Sequence, residues 1–242
     1  MKYTNSLNNT KVLILAGGLG TRLSEETNKL PKPMIKIGGL PILLHIINIY
    51  KKYNLKNFII LGGYKVKYIK NYFKKKRIKD INIEILDTGV HSNTAGRLYK
   101  IRKRIENEDF FLMTYGDGVA NINIKKLIDF HIKYKPQITM TAVKPLARFG
   151  IAKIEKLMVK DFYEKPKGDN NWVNGGFFVV DPIVLKLIKS PKSIWEKDIM
   201  PKIVKRKKLF AFKHNDFWYS MDTLRDKRFL TSLIKKHKAK WL

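Results

Sequence analysis

Strands that alternate with helices predict an α/β fold, a mostly parallel mixed sheet flanked by helices. Three observations carry this. Apolar runs at Val12–Leu15, Phe58–Leu61 and Phe110–Thr114 end in Gly17-Gly18, Gly62-Gly63 and Tyr115-Gly116-Asp117-Gly118. Between them, Pro41–Lys52, Val66–Phe73 and Arg97–Ile105 have helical spacing, with Ile81–Leu86 as a further alternating strand. Glycine turns at strand ends then suit a doubly wound, Rossmann-like plan, in which ligands bind beyond the carboxyl ends of the strands.

The second half is more mixed. Ile138–Lys144, Ile151–Glu155, Phe177–Val180 and Leu209–His214 read as strands. Pro182–Ile188 and Ile194–Val204 read as helices, and Leu224–Lys236 as an amphipathic helix with a basic face. There is no internal repeat. Residues 11–242 read as a single domain, and residues 1–10 as a flexible N-terminal extension.

Composition narrows the function classes. The chain has 242 residues, 44% of them hydrophobic, and no cysteine, which excludes disulfides and thiolate metal sites. The first ten residues have no apolar core, and no apolar run approaches the ~18 residues of a membrane span, so a soluble cytoplasmic protein is expected. The net charge of +30 suggests an anionic partner. Yet the lysines are scattered along the whole chain, and only Lys74-Lys75-Lys76-Arg77 is dense. No nucleic-acid-binding pattern accompanies them, so nucleic acid is not expected as a partner, and neither is a membrane.

The glycine loop Leu15-Ala16-Gly17-Gly18-Leu19-Gly20-Thr21-Arg22 has the makings of a phosphate nest. Glycines let backbone N–H groups approach an anion closely. The spacing is neither a P-loop nor a dinucleotide fingerprint, since Leu23 stands where a third glycine would be needed. Arg22 adds a guanidinium that stays charged and grips two phosphate oxygens. In Leu30-Pro31-Lys32-Pro33-Met34 two prolines stiffen the chain around one lysine. Taken alone, each piece is equally a structural turn. Asp117 and Asp222 offer carboxylates to a metal, but Asp117 also suits a turn, and Asp222 an N-cap for the helix starting near Thr223. The five histidines are too dispersed for a catalytic dyad. Trp172, Trp195 and Trp218 read as core or interface rather than as sugar-stacking rings.

Leu15–Leu23, then Pro31-Lys32-Pro33-Met34, then Gly39-Leu40-Pro41, in that order, resemble the sugar-1-phosphate nucleotidyltransferase (sugar-nucleotide pyrophosphorylase) family. Within it the likeness is greatest to the cytidylyltransferase members. Leu23-Ser24-Glu25-Glu26-Thr27, Asp87-Thr88-Gly89, Gly96-Arg97-Leu98, Thr114–Gly118, Asn174–Phe178 and Met221–Asp226 carry it, and it runs from about Lys11 to Trp241.

The resemblance implies the nucleotide-diphospho-sugar transferase fold, with a nucleotide-binding half over 11–120 and a sugar-binding half with the C-terminal helix over 121–242. It implies a nucleoside triphosphate, CTP favoured, held by Leu15, Ala16, Gly17, Gly18, Gly20, Thr21, Arg22, Ser92, Arg97 and Gly116. Arg97 would serve the base or the ribose. Arg22 and Lys32 would be catalytic, and Mg²⁺ would sit on Asp117 and Asp222. A sugar 1-phosphate, glucose first, would meet Gly150, Glu164, Lys165, Asn174 and Gly175. Arg148-Phe149-Gly150 and Glu164-Lys165-Pro166 match family elements. A homo-oligomer and a place in bacterial surface-polysaccharide synthesis are implied too. The departure lies between Phe73 and Asp87, where the chain is shorter than those members beside the base site. UTP, dTTP or GTP, and a mannose or heptose phosphate, therefore stay open.

Overall fold

In the computed structural model, which describes residues 9–145, 151–163 and 171–242, the first half runs β1 (Lys11–Ala16), α1 (Ser24–Thr27), β2 (Lys36–Ile37), β3 (Leu40–Pro41), α2 (Ile42–Lys51), β4 (Asn57–Gly62), α3 (Val66–Lys75), β5 (Asn82–Asp87), α4 (Thr94–Ile101), β6 (Phe111–Tyr115) and β7 (Gly118–Ala120). The second runs α5 (Ile124–Tyr134), β8 (Ile138–Val143), β9 (Ile151–Glu155), β10 (Met158–Tyr163), β11 (Val173–Val180), α6 (Met200–Lys205), β12 (Leu209–His214), β13 (Trp218–Ser220) and α7 (Leu224–Lys235). Seven strands form one sheet in the order β12-β8-β11-β6-β1-β4-β5. β11 is antiparallel to both neighbours and every other pair is parallel.

The strand period of two sorts the core onto two faces. Val12, Ile14 and Ala16 of β1 join Phe58, Leu112, Phe177 and the buried side of α2. Leu13 and Leu15 join Ile59, Phe111, Phe178, Leu98 of α4 and Trp195. That is why β1 reads as an unbroken apolar run: both faces are covered.

Three expected helices differ in kind. Pro182–Leu187 is a 3₁₀ helix, ended before Ser190-Pro191, where proline keeps its predecessor out of the helical region. Trp195–Ile199 forms a π turn before α6, because Pro201 has no N–H to continue one regular ladder. α4 begins three residues earlier than its apolar spacing indicates and passes into a 3₁₀ turn, Arg102–Arg104. The expected strand Ile151–Glu155 pairs only with β10, in a separate hairpin. Thr10, assigned to the extension, is buried at the start of β1. No helix among the described residues is long and apolar enough to cross a membrane.

α5 buries His131, whose Nδ1 lies 2.9 Å from Thr139 Oγ1. Burial pushes its imidazole down to about 4. A histidine depressed in the folded state takes up its proton more readily when unfolded. Stability is then full above pH 6.5 and falls as pH drops from 6.5 towards 4. Thermal melts of wild type and His131→Gln across this range should lose about 2–3 kcal/mol less in the variant; parallel pH profiles would contradict the assignment.

Candidate active site

The carboxyl ends of β1, β4, β5 and β6 lie along one edge of the sheet, and antiparallel β11 brings its amino end there. A cavity of about 510 Å³ opens at this edge. Leu15, Ala16, Gly17, Gly18, Gly20, Thr21, Arg22, Lys32, Ser92, Arg97, Gly116, Asp117, Asn174, Gly175 and Asp222 all line it. Gly150, Glu164 and Lys165, with Arg148, lie outside the described residues.

β1 delivers the glycine loop. Gly20 takes a left-handed conformation (φ 68°), and the chain then tightens into a 3₁₀ turn, Thr21–Leu23. A second 3₁₀ turn, Lys32–Met34, fixes Lys32. Its Nζ donates to Asp117 Oδ2 at 2.6 Å and to Asp222 Oδ1 at 2.8 Å. Arg22 Nη2 is 2.9 Å from the same Asp222 oxygen, and Ser220 Oγ donates to Asp222 Oδ2 at 3.1 Å. Burial pulls the Lys32 ammonium down, but Asp117 and Asp222 outweigh it and leave the group above its ordinary value. Burial likewise works against the Asp222 charge, yet Lys32, Arg22 and Ser220 hold its carboxyl below the usual range.

Backbone pairing brings the carboxylates together. β13 pairs antiparallel with β7, Ser220 opposite Gly118, and Met221 N–H donates to Asp117 O at 2.8 Å. Asp222 is not the cap of α7. Thr223 is, in a capping box with Asp226. The buried Asp226 carboxylate accepts from the N–H of both Asp222 and Thr223 and from Tyr219 OH. Asp222 is thereby left to face the cavity.

Arg97 forms part of the floor. It is 4% exposed, and its Nη1 donates to Gly62 O, Thr88 Oγ1 and Gly89 O. Burial lowers its basicity, partly countered by Asp87. The guanidinium ties the ends of β4 and β5 beneath Gly17. Ser92, also buried, donates to Thr88 O.

Two wall residues have no role in the sequence-based assignment. Tyr115 accepts from Asn174 Nδ2 at 3.1 Å and donates to Glu196; burial, then Glu196, pushes its phenol well above the ordinary value. Its place at the end of β6, beside Gly116, was the available signal. Trp218, expected in core or interface, is half-buried on the cavity wall, and its Nε1 donates to Gly175 O at 2.7 Å. Its ring also packs against the core, as expected, and its place on the wall was hidden because nothing in the sequence marks the three-residue β13. Trp195 is fully buried core, whereas Trp172 is exposed, with the Lys144 and Lys213 ammonium groups 5.2 and 5.4 Å from its ring centre.

Residues 11–227 match the family described as Nucleotidyl transferase. The chain belongs to the nucleotidyltransferase family. It is 44% identical to the glucose-1-phosphate cytidylyltransferase of Salmonella typhi, over 96% of this chain and 98% of that one. It is 38% identical to the probable glucose-1-phosphate cytidylyltransferase of Bacillus subtilis, over 89% and 92%. Among solved structures, HddC from Yersinia pseudotuberculosis, complexed with GMP-PN, superposes with a TM-score of 0.74 at 22% identity, over 93% and 99% of the chains, which is a likeness of fold.

For a nucleotidyltransferase the donor set fits Mg²⁺. Asp117 and Asp222 are hard oxygen donors on one cavity, and this ion takes one or two carboxylates and completes its shell with water and phosphate oxygens. Among the described residues no group of three or more His, Cys, Asp or Glu could hold a metal alone. Two carboxylates would thus share the ion with substrate.

The glycine loop is locally testable. A Cβ at Gly17 would lie 2.0 Å from Arg97 Nη1, whereas one at Gly18 meets nothing within 4 Å. Because three acceptors fix that guanidinium, Gly17→Ala should cost about 1–3 kcal/mol of stability, as overpacking does. Gly18→Ala should melt like wild type. Equal melting of the two variants would show that Arg97 yields freely.

Proposed function

We propose that this nucleotidyltransferase joins CTP to glucose 1-phosphate, giving CDP-glucose and pyrophosphate, with Mg²⁺. The observation that carries the reading is one ammonium group, on Lys32, bridging Asp117 and Asp222 beside a glycine loop and Arg22. Two cations, a run of main-chain amides and two carboxylates suit a polyphosphate and its metal, and little else. The base and the sugar rest on the cytidylyltransferase relatives, which match almost end to end.

The reaction is an in-line displacement. A phosphate oxygen of the sugar 1-phosphate attacks the α-phosphorus, the new P–O bond forms, and the bond to pyrophosphate breaks. The nucleophile is already an anion, so no general base is needed, and no residue must become covalently attached. Catalysis then lies in positioning and charge neutralisation. Arg22 and the amides of Gly17–Thr21 grip the triphosphate, and Lys32 offsets charge building between the two phosphates. Bound at Asp117 and Asp222, the metal would supply Lewis-acid polarisation of the α-phosphate. Ser92, Gly116 and the Arg97 floor bound the nucleoside end; Asn174 and Gly175, with Tyr115 and Trp218 behind them, bound the sugar end. Gly150, Glu164 and Lys165 are assigned to the sugar phosphate. Such a donor–acceptor pair is met where triphosphates are made, in the cytoplasm, and CDP-glucose would feed synthesis of deoxysugars for surface polysaccharide.

Arg22→Ala and Asp117→Asn should each lower turnover at least ~10²-fold, the loss expected for one transition-state charge partner. Pyrophosphate release should be measured with CTP, UTP, dTTP and GTP against glucose 1-phosphate and Mg²⁺, CTP giving the highest kcat/KM. Near-normal turnover removes the role given to that residue, and a different best triphosphate overturns the choice of base.

A further inference from the structure

We propose that Lys32 stands in for the metal between Asp117 and Asp222 until a triphosphate arrives, so that divalent-metal binding depends on prior nucleotide binding. This deepens the reading above and rests on its assignment of the two carboxylates as metal ligands. Lys32 Nζ contacts Asp117 Oδ2 and Asp222 Oδ1 at once, at 2.6 and 2.8 Å. Arg22 shares the same Asp222 oxygen, and Ser220 takes the other. Among the described residues, the charged side chains lining the cavity are these two carboxylates and three cations, Arg22, Lys32 and Arg97. A divalent ion arriving alone would therefore enter a half-buried cavity whose carboxylates are already paired and whose remaining charge is positive. Adding like charge there is unfavourable.

A triphosphate reverses the balance. It gives Lys32 and Arg22 an anionic partner of higher charge, and their departure frees the carboxylate oxygens. The lysine backbone need not move. Pro31 and Pro33 hold it in the 3₁₀ turn, while the ammonium rides on a flexible four-carbon stem. The cationic side chain is thus exchanged between carboxylate and phosphate, and the metal takes the place it leaves. Because such coupling is reciprocal, the metal must tighten nucleotide binding by the factor by which nucleotide tightens metal binding.

The test is binding of Mn²⁺, followed by loss of the free-ion electron paramagnetic resonance signal, in the full chain without nucleotide. Lys32→Met should bind one Mn²⁺ at least ~10-fold more tightly than wild type, about 1.4 kcal/mol, and Lys32→Met/Asp222→Asn should return to the wild-type level. Lys32→Gln, which keeps a neutral donor, serves as the second variant, and circular dichroism confirms that each is folded. Wild type with a non-hydrolysable CTP analogue should bind Mn²⁺ tightly, and Asp222→Asn with the analogue should not. If those last two bind alike, the carboxylates are not the metal ligands and the underlying reading fails. If they differ as expected, but neither Lys32 variant gains affinity without nucleotide, the exchange alone is overturned.

Discussion

The cavity depends on one ion-pair cluster. Lys32 joins two carboxylates that come from opposite halves of the chain, and all three groups are partly withdrawn from water. Unpaired, any one of them would carry a desolvation penalty of several kcal/mol. Paired, they hold the loop from β1, the end of β6 and the approach to α7 at a common point. The cost of keeping charges at that point is met by backbone hydrogen bonding. The short β7–β13 ladder sets Asp117 beside Met221, and Asp226 collects the N–H groups of Asp222 and Thr223. Asp226 does not line the cavity, yet through the backbone N–H of Asp222 it orients a residue that does.

A second constraint is close approach beneath the glycine loop. Arg97 packs against Gly17 where no side chain fits, and spends one end of its guanidinium on Gly62 O, Thr88 Oγ1 and Gly89 O. The arginine is therefore part of the platform on which the loop rests as well as part of the cavity wall. A buried arginine bound to carbonyl oxygens has little freedom to adapt to a ligand. Whatever it contacts must fit its fixed position.

Much of this was legible in the sequence. Glycine turns after apolar runs marked the edge where the cavity opens, because Gly17 and Gly116 sit where parallel strands end. The order Gly17-Gly18, Arg22, Lys32 made the loop specific. Other features were hidden for physical reasons. β7 and β13 have three residues each, too short for any periodicity, so Trp218 could not be placed on the cavity wall. α5 went without an assignment although Ile124, Leu127, Ile128 and His131 share its buried face, since lysines interrupt the apolar pattern. The rival role for Asp222, a helix cap, turned on a shift of one residue, to Thr223. Only the hydrogen bonds of Asp226 decide it.

The net charge of +30 looks like the feature that should choose an anionic substrate, but the geometry separates the two. Several lysines that do not line the cavity spend their charge on backbone carbonyls: Lys11 on Arg104, Lys51 on Lys79, Lys52 on Trp241 and Lys65 on Thr27. Others lie along the exposed side of α3 and the turn after it. Such dispersed charge raises the potential everywhere and speeds the approach of any anion without discriminating among them. Selection falls to the cavity, where among the described residues three cations face two carboxylates. Such a near-balance suits the proposed pairing of a polyphosphate with a divalent ion in one site. A wholly basic pocket would hold the phosphate and repel the metal, and a wholly acidic one would do the reverse.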